Sequence, residues 1–185
     1  MAEIIIIISG SSGAGKDSVL QGLVSQNKKL SEVSTYTTRS KRTDEKEGKG
    51  HFYVSEKKFA QLFEAGEILE KNFYAGAWYG VPKSAILKIQ KNRQLPILEI
   101  DVNGFKQIKK KYPNTISIYI DCAEKEAKIR LINRGENSAQ DIAKRLEMKK
   151  IEDRQKGNFD LVVKNQQGKL DQTIQEVLNF IKKSI

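Results

Sequence analysis

The sequence predicts an α/β fold: a parallel sheet covered by helices, interrupted by an inserted subdomain. Three observations carry this. Ile4–Ile8 is an unbroken apolar run that ends abruptly in the Gly/Ser-rich Ser9–Gly15, and a helical pattern follows. From Leu95 onward, short apolar runs alternate with amphipathic stretches of helical spacing, as strands joined by crossover helices require. Between about 35 and 85 that alternation gives way to short strand-like pieces, charges and glycines.

Taken in order, Ile4–Ile8 reads as a buried strand. Asp17 to about Gln26 reads as a helix, with Val19, Leu20, Leu23 and Val24 on one face. Ser31–Thr38 is strand-like, Arg39–Gly50 a charged loop, and His51–Val54 a short strand. Ser55 is the expected N-cap of a helix running to Glu64, because its hydroxyl can accept from an unpaired first-turn N–H. Glu67–Tyr79 holds strand formers and glycine turns, and Pro82 suits the first turn of a helix reaching about Lys91. The regular part follows: strand Leu95–Asp101, helix Asn103–Lys111, strand Thr115–Asp121, helix Ala123–Asn133. After a polar link (Arg134–Ser138), a long helix runs to about Gln155. Phe159–Val163 is the last strand, and Leu170, Ile174, Val177, Leu178 and Ile181 mark the last helix.

At 185 residues the chain suits one domain, able to bury roughly two thirds of its unfolded surface. The single cysteine, Cys122, excludes an internal disulfide framework and fits a reducing compartment. Met1–Ile8 is too short for a signal peptide, and no run approaches the roughly 18 apolar residues of a membrane span, so a soluble cytoplasmic protein is expected. The net charge of +10 raises the question of nucleic acid. The basic residues are dispersed, however, and no aromatic interleaving marks a stacking platform, so neither nucleic acid nor membrane is an expected partner. Composition says nothing of oligomeric state. Seven arginines stand against 26 lysines. Four of the seven form close pairs, Arg39/Arg42 and Arg130/Arg134, which points to two elements that need a planar, always-charged fork, as phosphate recognition does.

Gly10-Ser11-Ser12-Gly13-Ala14-Gly15-Lys16 matches the first seven positions of the phosphate-loop pattern and lies between a strand and a helix. Glycines let the backbone wrap an anion with its N–H groups inward, the helix N-terminus adds positive potential, and Lys16 reaches the outer phosphates. The pattern's eighth position is Ser or Thr; here it is Asp17, followed by Ser18. Asp17 is either a hard oxygen ligand for Mg2+ or a residue favouring the helix N-terminus while Ser18 supplies the hydroxyl.

These motifs make the chain resemble guanylate kinase along nearly its whole length. Ser9–Ser18 resembles the family's phosphate loop, and Ser34-Thr35-Tyr36-Thr37-Thr38-Arg39-Ser40-Lys41-Arg42 its monophosphate signature. The resemblance implies an ATP site at Ser11, Ser12, Gly13, Ala14, Gly15, Lys16, Asp17 and Ser18. It implies a GMP site at Thr35, Arg39, Arg42, His51, Glu70, Tyr79, Val81 and Asp101. His51 stands where a tyrosine is usual and is either a phosphate donor or surface filler; Val81 replaces a small hydroxyl residue that contacts guanine O6. Glu70 matches the guanine-reading glutamate. Glu99 and Asp101, two apart on one strand, fall near the magnesium shell and the base respectively. Arg130 and Arg134 match lid arginines and Arg145 the further arginine on the helix after the lid; with Lys16 these are the expected catalytic residues. Asp17, Ser18 and Glu99 are the expected Mg2+ contacts.

The implied layout is a single domain with core 1–34 and 82–185, a monophosphate-binding insertion over about 35–81 and a helical lid over about 130–145. The implied reaction is in-line transfer of the γ-phosphoryl of ATP to a nucleoside monophosphate, chiefly GMP. Such chemistry needs positioning and charge stabilisation, not a nucleophilic side chain. Two alternatives stand beside it: a kinase of another phosphorylated acceptor, such as a ribosyl phosphate, or a non-catalytic binding module of the same fold.

Overall fold

The computed structural model describes residues 4–43, 45–74, 76–133, 135 and 138–185. In chain order the elements are β1 (Ile5–Gly10), α1 (Lys16–Gln26), β2 (Leu30–Glu32), β3 (Thr35–Thr37), β4 (His51–Tyr53), α2 (Glu56–Glu64), β5 (Ile68–Tyr74), β6 (Ala77–Pro82), α3 (Lys83–Lys91), β7 (Leu95–Glu99), α4 (Val102–Lys111), β8 (Thr115–Asp121), α5 (Glu124–Asn133), α6 (Ala139–Asp153), β9 (Leu161–Lys164) and α7 (Leu170–Ser184).

Two sheets result. The first has the order β2-β7-β1-β8-β9, and each of its pairings is parallel. Its central strands are buried on both faces, so β1 and β8 read as continuous apolar runs rather than alternating ones. Alternation still decides which layer each side chain joins. Ile6 and Ile8 pack with Val19, Leu23, Ala127, Ile174 and Val177 beneath α1, α5 and α7. Ile5 and Ile7 pack with Ile86, Phe105 and Ile108 beneath α3 and α4. The second sheet has the order β4-β3-β6-β5, with β3 parallel to β4 and antiparallel to β6, and β6 antiparallel to β5.

Several boundaries differ from the sequence expectation, each for a local reason. Ser31–Thr38 is not one strand: Leu30–Glu32 is the edge of the first sheet and Thr35–Thr37 belongs to the second. The chain switches at Val33, whose side chain is buried and whose N–H still donates to Ile97. Pro82 ends β6 and is the N-cap of α3 instead of its first helical residue; it stays extended at φ −69°, ψ 126°, in register with Ile68. Asp101 lies beyond β7 as the N-cap of α4, its carboxylate accepting from Gly104 N–H at 2.8 Å. Phe159 precedes β9 and stacks on Phe105 at 4.1 Å between ring centroids. Ser55 does cap α2, accepting from Lys58 N–H.

Gly10 makes the tightest turn out of the sheet. At φ +147° it occupies backbone space closed to other residues, and a Cβ there would sit 2.2 Å from the carbonyl oxygen of Ile120. Gly66 also has positive φ (+71°) but open space around it. Gly10→Ala is therefore expected to cost about 3–5 kcal/mol, steric overlap added to backbone strain. Gly66→Ala should cost only about 1–2 kcal/mol from strain alone. Denaturant unfolding of the two variants measures the gap; equal losses would contradict it.

Candidate active site

Residues 10–16 leave β1 and enter α1 as a wrapped loop. Gly13 (φ +79°) and Gly15 (φ +84°) hold the left-handed conformations, and a Cβ on either would strike Ala127 O or Asn165 Nδ2. Gly15 is the N-cap of α1 and provides no side-chain cap, so the first-turn N–H groups and the helix dipole face the cleft. The carbonyls are satisfied on the far side. Arg130 donates to Gly13 O (3.2 Å), Ala14 O (3.1 Å) and Asn165 O (2.8 Å), while Asn165 Nδ2 donates to Ala14 O at 2.8 Å. Ser11 and Ala14 are wholly buried as the loop's underside. Lys16 Nζ donates to Ser11 O at 3.3 Å and lies 3.9 Å from Glu99.

The opposite wall comes from the second sheet. Arg39 sets both arms of its guanidinium on the Glu45 carboxylate, which also accepts from Arg42 N–H at 2.8 Å. That fork holds the Glu45 carboxyl well below the usual carboxylate range. Thr35 Oγ1 and His51 Nδ1 are 2.7 Å apart across the β3–β4 pair, and the His51 ring meets the edge of Tyr79. Burial, helped by the charge of Arg39, holds the imidazole below its ordinary pKa. His51 is thus a half-buried wall residue, hydrogen-bonded to Thr35.

Glu70 lies at the base of this wall, 2% exposed. Burial pushes its carboxyl up to about 8, with Asp101 adding to the shift and the Val81 N–H and Lys111 opposing it. Asp101 accepts from Asn72 Nδ2 as well as from Gly104 N–H. Glu99 is pushed well above the carboxylate range by burial; Lys16 opposes the shift, and a hydrogen bond with Asp17 reinforces it.

Both walls open on one cleft of about 510 Å3. From the loop side it is lined by Ser12, Gly13, Gly15, Lys16 and Asp17, and from the sheet side by Thr35, Arg39, Arg42, His51, Glu70 and Tyr79; Glu99, Asp101 and Arg145 lie between. Besides Ser11 and Ala14 on the loop's underside, three residues expected at the site are placed outside the cleft lining. The Val81 side chain is completely buried in the apolar cluster with Leu69, Ile86 and Ile100, so only its N–H reaches the site, through Glu70. Ser18 is exposed on α1, outside the cleft lining. Arg130 is beneath the loop, outside that lining, because three carbonyls hold its guanidinium. Arg134 lies outside the described residues. Arg145 does face the cleft, donating to Ser12 Oγ (3.2 Å) and Tyr74 Oη (2.8 Å).

Sequence reading missed Asn72, Tyr74 and Glu152, which also line the cleft. For the first two a signal was present: Glu70, Asn72 and Tyr74 alternate along β5 and so share a face. Glu152 carried none, since it is one of many charged residues on a helix rich in them.

The family model described as guanylate kinase matches residues 2–184. The guanylate kinase of Prochlorococcus marinus subsp. pastoris is 35% identical over 179 residues, 96% of each chain. That of a Nostoc species is 35% identical over 162 residues, covering 87% of this chain and 81% of its own. Among solved structures, guanylate kinase from Anaplasma phagocytophilum superposes with a TM-score of 0.78 over 97% of this chain and 85% of that one, at 24% identity, which is a likeness of fold. With that wrapped loop facing an arginine- and glutamate-bearing wall, and with relatives matched nearly end to end, the chain belongs to the guanylate kinase family.

Proposed function

We propose that this chain transfers the γ-phosphoryl group of ATP to GMP, giving ADP and GDP. The observation that carries the reading is the shared cleft: an anion-binding loop with Lys16 on one side, and Arg39, Arg42 and the buried Glu70 on the other. In-line transfer needs donor and acceptor phosphates brought together in such a space and their charge neutralised. The intact loop, with Lys16 in the cleft, favours catalysis over a binding module.

The loop N–H groups and Lys16 take the ATP phosphates. Arg39 and Arg42 take the GMP phosphate, for which Arg39 exchanges part of its Glu45 fork; the paired Thr35 and His51 with Tyr79 complete that pocket. Glu70 and Asp101 accept from guanine N1–H and N2–H2, a donor pair that adenine lacks. Val81 contributes only by fixing Glu70 through its N–H. Arg145 reaches the space between the substrates, Arg130 shapes the loop from below, and Arg134 belongs to the lid over 130–145, which closes with the 35–81 insertion to keep water out.

Mg2+ accompanies ATP. The acidic groups fit a shared metal rather than a protein cage: among the described residues no cluster of three or more His, Cys, Asp or Glu could hold an ion. Mg2+ usually takes one or two carboxylates beside substrate phosphates. Asp17 and Glu99, hard oxygen donors beside Lys16, would hold the ion, which would supply neutralisation of phosphate charge; Ser18, exposed on α1, lies outside the cleft lining. Among the described residues no helix is long and apolar enough to cross a membrane; we place the enzyme in the cytosol, with neither nucleic acid nor membrane as a partner.

Two outcomes test the assignment. Lys16→Met keeps the side chain's bulk and removes its charge, so the variant should fold normally and lose turnover by about a thousandfold or more. A folded variant with near-normal turnover would sink the kinase reading.

The second concerns pH. With its folded pKa near 8, Glu70 is mostly protonated at neutral pH, whereas the guanine donors need its carboxylate. GMP binding should release a proton from this group, and its affinity should rise by up to about tenfold per pH unit towards pH 8, then level off. Stability runs the other way. The folded state holds a proton that the unfolded state has lost between about 4.5 and 8, so the Glu70 contribution declines as pH rises through that window. Calorimetry in buffers of different ionisation enthalpy counts the proton. Glu70→Gln should abolish the release and stabilise the free protein most above pH 8; an unchanged proton count in that variant would refute the assignment.

A further inference from the structure

The strand–loop–helix motif explains the cleft side of the phosphate loop, and Arg130 with Asn165 explains two of its carbonyls. The side chain of Ser11 has a different partner. Lys149, on α6, is 2% exposed, and its Nζ donates to Ser11 Oγ at 3.0 Å. The same ammonium donates to Asp153 at 2.9 Å and lies 3.7 Å from Asp121. The two carboxylates are themselves held: Tyr119 Oη donates to Asp153 at 2.8 Å and Lys156 Nζ to Asp121 at 3.0 Å. Two ammonium groups thus balance two carboxylates behind the loop, one turn along α6 from Arg145.

A buried ammonium is expensive to desolvate and is tolerated only with good partners. Hydrogen bonds to the Ser11 hydroxyl and the Asp153 carboxylate engage two of its N–H donors, and the nearby Asp121 carboxylate adds a second opposite charge. One of those partners belongs to the phosphate loop, and Ser11 is where the loop's other contacts meet: its carbonyl accepts from Ala14 N–H at 3.1 Å and from Lys16 Nζ at 3.3 Å. Lys149 therefore reaches Lys16 through a single residue. One helical turn away on the same face of α6, Arg145 holds Ser12 Oγ, and Glu152 accepts from Ser12 N–H. Ser11 and Ser12 are thus gripped from one helix at three points.

We propose that Lys149 is a positioning residue for ATP: it fixes the phosphate loop through Ser11 and, through the Ser11 carbonyl, sets where Lys16 stands. Lys149 touches no substrate, and its effect falls on the donor nucleotide alone, since the Arg39–Glu70 wall makes none of these contacts. This rests on the loop being the ATP site.

Ser11→Ala cuts the link while leaving Lys149 paired with Asp153 and Asp121. Initial-rate kinetics and calorimetric titration, with ATP and GMP varied separately, read the result. The variant should melt within a few degrees of the wild type, bind ATP about tenfold more weakly, and keep its GMP affinity. Lys149→Met should show the same ATP effect together with a loss of stability. The double variant should bind ATP no worse than Lys149→Met alone, because both changes remove one link. If Lys149→Met does not fold, Asp153→Asn, which loosens the 2.9 Å anchor while keeping the shape, takes its place in the cycle. Unchanged ATP affinity in Ser11→Ala, equal losses for ATP and GMP, or additive losses in the double variant would each overturn the proposal while wild-type turnover stands. A wild type that binds no ATP would instead remove the functional reading, and this inference with it.

Discussion

Everything in the cleft depends on one backbone constraint: a loop can aim its N–H groups at an anion only if its carbonyls are satisfied elsewhere. Each residue carries one donor and one acceptor, and a buried carbonyl without a partner is costly. Here the acceptors are taken from below by Arg130, by Asn165 and, at Ser11, by Lys16 and Ala14 N–H. Those partners come from α5, from the residue after β9 and from the loop itself, so the loop's shape is a product of the whole parallel sheet. The same arrangement explains the glycines. Gly13 and Gly15 are pressed against Ala127 and Asn165, which are parts of that underside.

The second-sheet wall of the cleft handles charge in two opposite ways. Arg39 and Glu45 pay each other's desolvation, so both stay ionised and the fork remains available to a competing dianion. Glu70 has no such partner within its own wall. Lys111 and the Val81 N–H are too weak to outweigh burial and Asp101, so the free protein keeps the proton. A group that waits neutral must ionise as those donors arrive, so the cost of removing its proton falls on guanine and not on a base that lacks them.

Much of the fold was legible because it follows from local chemistry. β8 and the capped helix α2 have the expected limits, since a continuous apolar run and a serine N-cap are signals that tertiary context seldom overrides. Ser31–Thr38 misled because β-propensity cannot tell one strand from two that belong to different sheets; the switch at Val33 is a tertiary event. At the site, the phosphate-loop motif pointed to the loop and the family resemblance to Arg39, Glu70 and Asp101, all of which reach the cleft. Val81 shows the limit. Its place in the sequence suggested a side chain facing the base, yet burial among Leu69, Ile86 and Ile100 leaves only its N–H in reach. Lys149 was illegible for a simpler reason: on a lysine-rich helix nothing local separates a buried ammonium from a solvated one.

That lysine also sharpens the reading of arginine scarcity. Two arginines at the site use both arms of the planar fork: Arg39 across both oxygens of Glu45 and Arg130 across three carbonyls; Arg145 instead reaches Ser12 and Tyr74 from one nitrogen. Arg93 and Arg154 are different, lying at helix ends: Arg93 just after α3 with φ 58°, and Arg154 as the C-cap of α6. There a cation offsets the negative end of the helix dipole and needs no fork. Lys149 completes the logic from the other side. Its partners, Ser11, Asp121 and Asp153, come from the loop, β8 and α6, and a compact ammonium on a flexible stem lies among all three.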